Sequence, residues 1–185
     1  MSRKNGPWII NKSEILYSSP WVNFRFDKSS SPSGKITEWG IPSLNTGVVT
    51  IAFDGQNIFL NKEFRYALEK KSYELPGGYI ESDEDILTAA KRELLEEQGI
   101  KASKWIDLGF IVPITGQVQS KVYFFLAMNL SFSNLNQEET EDIKIQKINL
   151  KKIDEMIISD EILSGIAISG IMKAKLWLEN NHATL

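Results

Sequence analysis

The first 45 residues consist of short β-prone segments separated by turn residues. Apolar and polar side chains alternate along Trp21–Phe26, as expected of a strand with one buried face. Ser29–Gly34 has four Ser with Pro32 and Gly34 and predicts a turn, after which Ile36–Ile41 returns as a second strand. Two further β-prone segments come earlier, Trp8–Ile10 and Ile15–Tyr17. The pattern predicts a small antiparallel β segment over residues 1–45.

A different pattern begins at Thr46, and residues 46–185 are predicted to form the main domain. Val48–Phe53 is a continuous apolar run typical of a buried strand, followed by a turn at Asp54-Gly55 and by Asn57–Asn61 as its expected partner. Three more strands are predicted: Trp105–Val112, Lys121–Met128 and Ile143–Ile148. Strands with interleaved helices indicate an α/β or α+β protein.

Three helices are predicted in this domain. The first spans Asp83–Gln98, with Ser82 as the N-cap and Gly99 as the terminator. A short helix is predicted over Lys151–Ile158 and a longer one over Asp160–Leu178. The expected apolar positions of the longer helix, at roughly helical spacing, are Ile162, Ile166, Met172 and Trp177.

Composition limits the available chemistry. The 185 residues include no cysteine and a single histidine, His182, which excludes thiolate metal sites and makes a histidine-based triad very improbable. A net charge of −3 argues against a nucleic-acid partner. The sequence has no apolar run of membrane-spanning length and no secretory leader pattern, so the expected location is cytoplasmic. Carboxylates, Lys, Arg, Tyr or hydroxyls must therefore carry any catalysis.

Glutamates of the first predicted helix share a face with apolar residues. At 100° per residue, Glu93 and Glu97 project within about 20° of Ile86, and Glu96 flanks this stripe. Thr88, Lys91, Arg92 and Gln98 fall on the other side. Carboxylates at this spacing repel one another, and a hard divalent cation would relieve the repulsion. The helix geometry alone leaves two interpretations open, a solvated acidic face and a metal site.

At these residues the sequence resembles the Nudix hydrolase family. The family pattern is Gly, five residues, Glu, seven residues, Arg-Glu, an aliphatic, any residue, Glu-Glu, any residue, Gly and an aliphatic. The chain supplies every fixed position: Gly78, Glu84, Arg92, Glu93, Leu94, Glu96, Glu97, Gly99 and Ile100. The resemblance implies a Nudix α/β/α sandwich with a mixed β-sheet, joined here to the small N-terminal β segment.

The resemblance also implies roles for individual residues. Glu93 and Glu97 would be the principal metal ligands, with Glu96 as a third contributor. The carbonyl of Gly77 would supply a further oxygen, and Arg92 would hold a glutamate of the motif in place. The implied metal is Mg²⁺, with Mn²⁺ as an alternative, and the implied chemistry is hydrolysis of a nucleoside diphosphate linked to another group.

Features outside the motif resemble the ADP-ribose pyrophosphatase and nucleoside-diphosphate-sugar branch. Arg65, ahead of the motif, matches a substrate-binding arginine, although an ordinary surface arginine would fit the sequence as well. In the acidic loop Glu138–Ile143, the branch implies Glu139 as the general base and Glu141 as a metal ligand. The two roles could be exchanged, and a solvated acidic loop is the alternative.

The N-terminal segment fits the same branch, in which such a segment contributes to a homodimer that completes the nucleoside site. Trp21 is a candidate for stacking on the base, with core or interface packing as the alternative. The expected partners are therefore a second copy of the chain and a small nucleotide sugar, with neither nucleic acid nor membrane.

The expected reaction is Mg²⁺-dependent hydrolysis of ADP-ribose to AMP and ribose 5-phosphate. Thr115 stands where ADP-ribose-specific members often carry proline, which keeps GDP-mannose and other nucleotide sugars as competitors. A non-catalytic Nudix-like sensor of nucleotides is the alternative from another class. A structural protein with a coincidental acidic helix is the remaining one.

Overall fold

The computed structural model describes residues 2–133 and 143–181. Its strands are β1 (Arg3–Asn5), β2 (Trp8–Ser18), β3 (Val22–Ser30), β4 (Ile36–Leu44), β5 (Gly47–Ala52), β6 (Asn57–Arg65), β7 (Lys70–Glu74), β8 (Gly77–Tyr79), β9 (Ile100–Ile111), β10 (Val122–Phe132) and β11 (Lys144–Asn149). The α-helices are α1 (Ile86–Gln98), α2 (Ile153–Ile158) and α3 (Gly165–Asn180). None of the helices in these ranges is both long and apolar enough to cross a membrane.

The chain divides into two compact units. The first unit comprises Met1–Thr46 and Val112–Lys121, and the second comprises Gly47–Ile111 and Val122–Leu185. Segment Val112–Lys121 belongs to the first unit because Gln119 pairs with β4. The amide of Gln119 donates to the carbonyl of Pro42 at 2.9 Å, and the amide of Leu44 donates to the carbonyl of Gln119 at 3.0 Å.

The first unit is a four-stranded antiparallel sheet in the order β1-β2-β3-β4. The prediction of two separate segments before Trp21 is wrong, because Trp8–Ser18 is one strand. Its polar middle remains paired with β3, where Ser13 lies opposite Asp27. The Ser13 hydroxyl donates to the buried Asp27 carboxylate at 2.6 Å. The polar residue in the middle of β2 thus provides a hydrogen bond that the buried carboxylate on β3 requires.

The second unit contains a mixed sheet in the order β8-β5-β10-β9, in which β5 and β10 are parallel and the other pairs antiparallel. A second sheet has the order β11-β6-β7. These strands and the helices confirm the α/β class. The Asp54-Gly55 turn forms, but the predicted pairing of β6 with β5 is wrong beyond a single bridge from Phe53 to Ile58. Strand β5 already has β8 and β10 on its two edges, so β6 pairs with β7 and β11 instead.

Helix α3 packs on the main core of the second unit through small and aliphatic side chains. The helix begins at Gly165 after the N-cap Ser164, later than predicted. Its buried residues are Ala167, Gly170, Ile171, Ala174 and Leu178. Met172, one of the apolar positions named from the spacing, is 39% exposed. The approach is close at Gly170, where a Cβ atom would lie 2.7 Å from Leu75 Cδ1. The residues of α3 that face the sheet are therefore those with side chains small enough for this close packing.

Candidate active site

Helix α1 carries the glutamates of the motif, and both of its ends are capped. The Asp85 carboxylate accepts hydrogen bonds from the amides of Leu87 and Thr88, each at 3.1 Å, and the Thr88 side chain and amide hold the pKa of Asp85 below its usual range. The predicted N-cap, Ser82, is wrong. Asp83 has a φ of 67°, in the left-handed region, so the helix cannot continue back through it. Gly99 ends the helix at a φ of 63°, as predicted.

The apolar stripe of α1 contains carboxylates. Ala89 and Ala90 are fully buried and Glu97 is 8% exposed, which agrees with the predicted shared face. Gln98, predicted on the polar side, is 3% exposed, so that placement is wrong. A carboxylate buried beside alanines requires hydrogen-bond partners. Without them the folded state would be destabilised by about 3 kcal/mol or more, because the group is charged.

Strand β8 passes directly beneath two of these glutamates. The amide of Gly77 donates to Glu97 Oε2 at 3.1 Å. A Cβ atom at Gly78 would lie 2.4 Å from Glu93 Oε1, and one at Gly77 would lie 2.2 Å from the Val48 carbonyl oxygen. The double glycine therefore lets the strand approach both α1 and β5 more closely than any other residue could. The helix and the strand together bring Glu93 and Glu97 to one place.

Arg92 joins the remaining carboxylates of the motif. Its guanidinium forms a fork with Glu84, from Nε to Oε1 and from Nη2 to Oε2, both at 3.1 Å. Nη1 also donates to Glu93 Oε1 at 2.9 Å and to Glu96 Oε2 at 3.1 Å. The hydrogen bond between Arg92 and Glu84 is the largest cause of both pKa shifts. It lowers the pKa of the Glu84 carboxyl and raises the pKa of the Arg92 guanidinium. Three carboxylates thus share one guanidinium.

A buried chain of amides supports Glu97 from the other side. Asn61 Nδ2, on β6, donates to Glu97 Oε2 at 2.6 Å. Gln98 Nε2 donates to Asn61 Oδ1 at 2.8 Å and to the carbonyl of Phe59 at 3.2 Å. The second sheet is therefore hydrogen-bonded to the carboxylate on α1.

Other predicted site residues lie elsewhere or outside the described residues. Arg65, at the end of β6, is paired with Glu63 at 3.3 Å and with the buried Glu74 at 3.5 Å. Trp21 lies in the first unit and is 63% exposed. The predicted base Glu139 and ligand Glu141 lie in residues 134–142, outside the described residues. The structure therefore brings together Gly77, Arg92, Glu93, Glu96 and Glu97.

Three residues of this cluster had no role in the sequence interpretation. Glu84 was matched to the motif without a function, and it is the forked partner of Arg92. Asn61 and Gln98 were placed on predicted elements without any functional role. One signal was available for Asn61, which directly follows the apolar run Ile58–Leu60 in a predicted strand. Gln98 has no comparable signal in the sequence.

The fold and this cluster define a protein of the Nudix class. A family model described as the NUDIX domain matches residues 42–159. The chain therefore belongs to the Nudix hydrolase family, which confirms the predicted family and its assignment as an enzyme.

Individual proteins resemble the chain over most of its length. The chain is 30% identical to the ADP-ribose pyrophosphatase of Bacillus subtilis (strain 168) over 130 residues, 70% of each chain. It is 28% identical to the methanol dehydrogenase activator of Bacillus methanolicus over 137 residues, 71% of this chain and 74% of the relative. A crystal structure of an ADP compounds hydrolase superposes with a TM-score of 0.86 at 19% identity, covering 97% of this chain and 98% of that one. That structure supports the predicted Nudix fold.

Nudix hydrolases generally use divalent metal ions, and two features of the cluster fit such an ion. Its side-chain donors, Glu93, Glu96 and Glu97, are all carboxylates, the ligands that hard cations prefer. Gly78 has no Cβ atom, and this leaves the space that the Glu93 carboxylate occupies. Within residues 2–133 and 143–181, no three acidic, His or Cys side chains already converge as a metal site. Arg92 instead pairs with Glu93 and Glu96.

Proposed function

We propose that this Nudix hydrolase cleaves the diphosphate bond of a nucleoside diphosphate sugar in a Mg²⁺-dependent reaction. The preferred substrate is ADP-ribose, giving AMP and ribose 5-phosphate. The observation that carries the proposal is the meeting of Glu93 and Glu97 at the glycine pair of β8, with Arg92 as their neighbour. The similarity to the Bacillus subtilis ADP-ribose pyrophosphatase supports the choice of substrate.

The residues of the cluster would bind the metal and keep its ligands oriented. Glu93, Glu96 and Glu97, with the carbonyl of Gly77, would hold Mg²⁺, or alternatively Mn²⁺. The bound ion would neutralise the diphosphate and polarise its phosphoryl oxygens. Arg92 stays charged beside Glu93 and Glu96 and keeps their carboxylates from turning away.

The general base and one further ligand are assigned to the acidic loop. Glu139 would take a proton from the attacking water and Glu141 would contribute an oxygen to the metal, with an exchange of the two roles as the alternative. Variants Glu139→Gln and Glu141→Gln separate these roles. Loss of the base lowers kcat with little change in metal affinity, whereas loss of a ligand weakens metal binding.

The residues assigned to substrate binding are Arg65 and Trp21. Arg65 is held by Glu63 and Glu74, which fixes the direction of its guanidinium for a phosphate or ribose oxygen. Trp21 offers a largely exposed ring for stacking on a base. Thr115, within the turn at residues 113–117, keeps GDP-mannose as the second candidate substrate.

A cytoplasmic homodimer formed through the first unit is part of the proposal. Large apolar side chains of this unit are exposed in the single chain, among them Ile15, Leu16, Tyr17, Trp21 and Ile36. Apolar side chains of this size that remain exposed in one chain are available for burial in a protein interface. Sedimentation equilibrium would measure the association, and a monomer at micromolar concentration would contradict it.

The deciding experiment is turnover of the purified protein on ADP-ribose, GDP-mannose, UDP-glucose and dinucleoside polyphosphates, with identification of the products. Glu97→Gln is expected to reduce turnover by several orders of magnitude while the protein stays folded. Glu155→Gln, an exposed position on α2, is the matched control and should keep full activity. Near-normal turnover of Glu97→Gln would contradict the assigned metal role. Binding of ADP-ribose without cleavage by the wild type would favour a nucleotide sensor.

A further inference from the structure

We propose that Asn61 and Gln98 are positioning residues that fix the direction of the Glu97 carboxylate. This inference rests on the proposed function, because it treats Glu97 as a ligand of the catalytic metal. It concerns two residues outside the fixed positions of the Nudix motif.

Two donors converge on a single oxygen of Glu97. Asn61 Nδ2 lies 2.6 Å and the Gly77 amide 3.1 Å from Oε2. Two donors on one oxygen set the rotation of the carboxylate, and with it the direction of the second oxygen, Oε1. A ligand fixed in this way loses little conformational freedom when it binds an ion.

The hydrogen bonds run in only one direction. A carboxylate accepts hydrogen bonds, so Asn61 must present its NH₂ group to Glu97 and its oxygen to Gln98. Gln98 must then present its own NH₂ group, whose second hydrogen goes to the Phe59 carbonyl at 3.2 Å. The backbone of β6 thus fixes Gln98, Gln98 fixes Asn61, and Asn61 fixes Glu97.

This arrangement is not what stability alone would favour. Asn61 is 1% exposed and Gln98 is 3% exposed, at positions where apolar side chains would avoid the loss of hydration. Gln98 Oε1 is buried and has no hydrogen-bond partner among the described residues. An unsatisfied buried oxygen destabilises the folded state. What the two amides do provide is the orientation of the carboxylate.

The test uses two variants, Asn61→Leu and the double variant Asn61→Leu/Gln98→Leu. Leucine removes the amide group and is close to asparagine in shape. Thr50→Val is the matched control. Thr50 is also 1% exposed, and its hydroxyl donates to the Ala90 backbone carbonyl of α1 rather than to a carboxylate. Each protein is measured for Mn²⁺ affinity without substrate, by electron paramagnetic resonance, and for its thermal midpoint in EDTA.

The double variant is expected to bind Mn²⁺ about 10- to 100-fold more weakly. Its midpoint in EDTA should fall only modestly, because the buried Glu97 carboxylate keeps the Gly77 amide as a donor and the unsatisfied Gln98 oxygen is removed. The control should bind Mn²⁺ within about twofold of the wild type, since its carboxylates are untouched. A purely structural role predicts a lower midpoint with unchanged Mn²⁺ affinity.

Mn²⁺ affinity within twofold of the wild type in the double variant would overturn the inference, and so would its failure to fold. Glu97→Gln in the same assay separates this inference from the proposed function. If Glu97→Gln binds Mn²⁺ normally, the metal role of Glu97 is wrong. If it loses binding while the double variant retains it, only the positioning role is wrong.

Discussion

Replacing Arg92 by methionine should destabilise the protein by about 3 kcal/mol, because it removes a guanidinium shared by three carboxylates. The fork with Glu84 and the bond to Glu93 involve side chains that are 12% and 13% exposed. We assign about 1.5 kcal/mol to each partner, the lower end for charged hydrogen bonds, because Arg92 is itself 25% exposed. The bond to Glu96 adds little, since that side chain is 38% exposed.

Urea unfolding followed by circular dichroism measures this loss, with the linear extrapolation applied to each protein. Lys91→Met is the matched control, because it removes the same charge from the adjacent, exposed position of α1. The control should stay within about 0.5 kcal/mol of the wild type. An Arg92→Met protein as stable as the control would refute the assigned role.

The pH dependence gives a second check. Arg92 lowers the folded-state pKa of Glu84, so its contribution is complete above the unfolded pKa of about 4.3 and is lost as the pH falls through the lower folded value. The gap between wild type and Arg92→Met should therefore be full at pH 7 and smaller at pH 3. An equal gap at both pH values would contradict the ionic explanation.

Three further predictions follow from close approaches and from a charged turn. Gly78→Ala should lower kcat strongly and reduce stability by about 1–3 kcal/mol, because its Cβ would meet the Glu93 carboxylate; wild-type turnover would contradict this. Gly170→Ala should lower the thermal midpoint despite the better helix propensity of alanine, since its Cβ would lie 2.8 Å from Phe124 Cδ1; a higher midpoint would show that the core can adjust. Burial opposes ionisation of Asp54, but hydrogen bonds from Lys147 and from the turn lower its pKa to about 2. Its stabilisation is about 1 kcal/mol once solvent screening at this exposed turn is allowed for. It is present above pH 4 and lost towards pH 2, so urea unfolding of Asp54→Asn should differ from the wild type mainly above pH 4.

The hydrophobic pattern predicted most strands, since alternation and apolar runs reflect burial of individual residues. It failed where neighbours decide the outcome. A polar stretch in Trp8–Ser18 suggested a break, yet pairing with β3 carries the strand through it. The partner of β5 was also wrong, because an edge taken by β10, distant in the sequence, cannot accept β6.

The ends of α1 illustrate the same limit at short range. Gly99 was predicted as the terminator because a left-handed residue after a helix favours glycine, and this rule needs no tertiary information. The N-cap was misplaced by three residues. Both Ser82 and Asp85 suit that position, and the left-handed backbone at Asp83 selected between them.

The sequence by itself determined the kind of chemistry. Without cysteine and with one histidine, an apolar helical stripe that includes glutamates predicts oxygen ligands, and helix periodicity places Glu93 and Glu97 together. Only the tertiary structure decided what surrounds them. Asn61 lies 36 residues before Glu97, and the glycine pair of β8 reaches the carboxylates through sheet pairing. Periodicity describes one element at a time, whereas the partners of a buried carboxylate are set by which elements pack together.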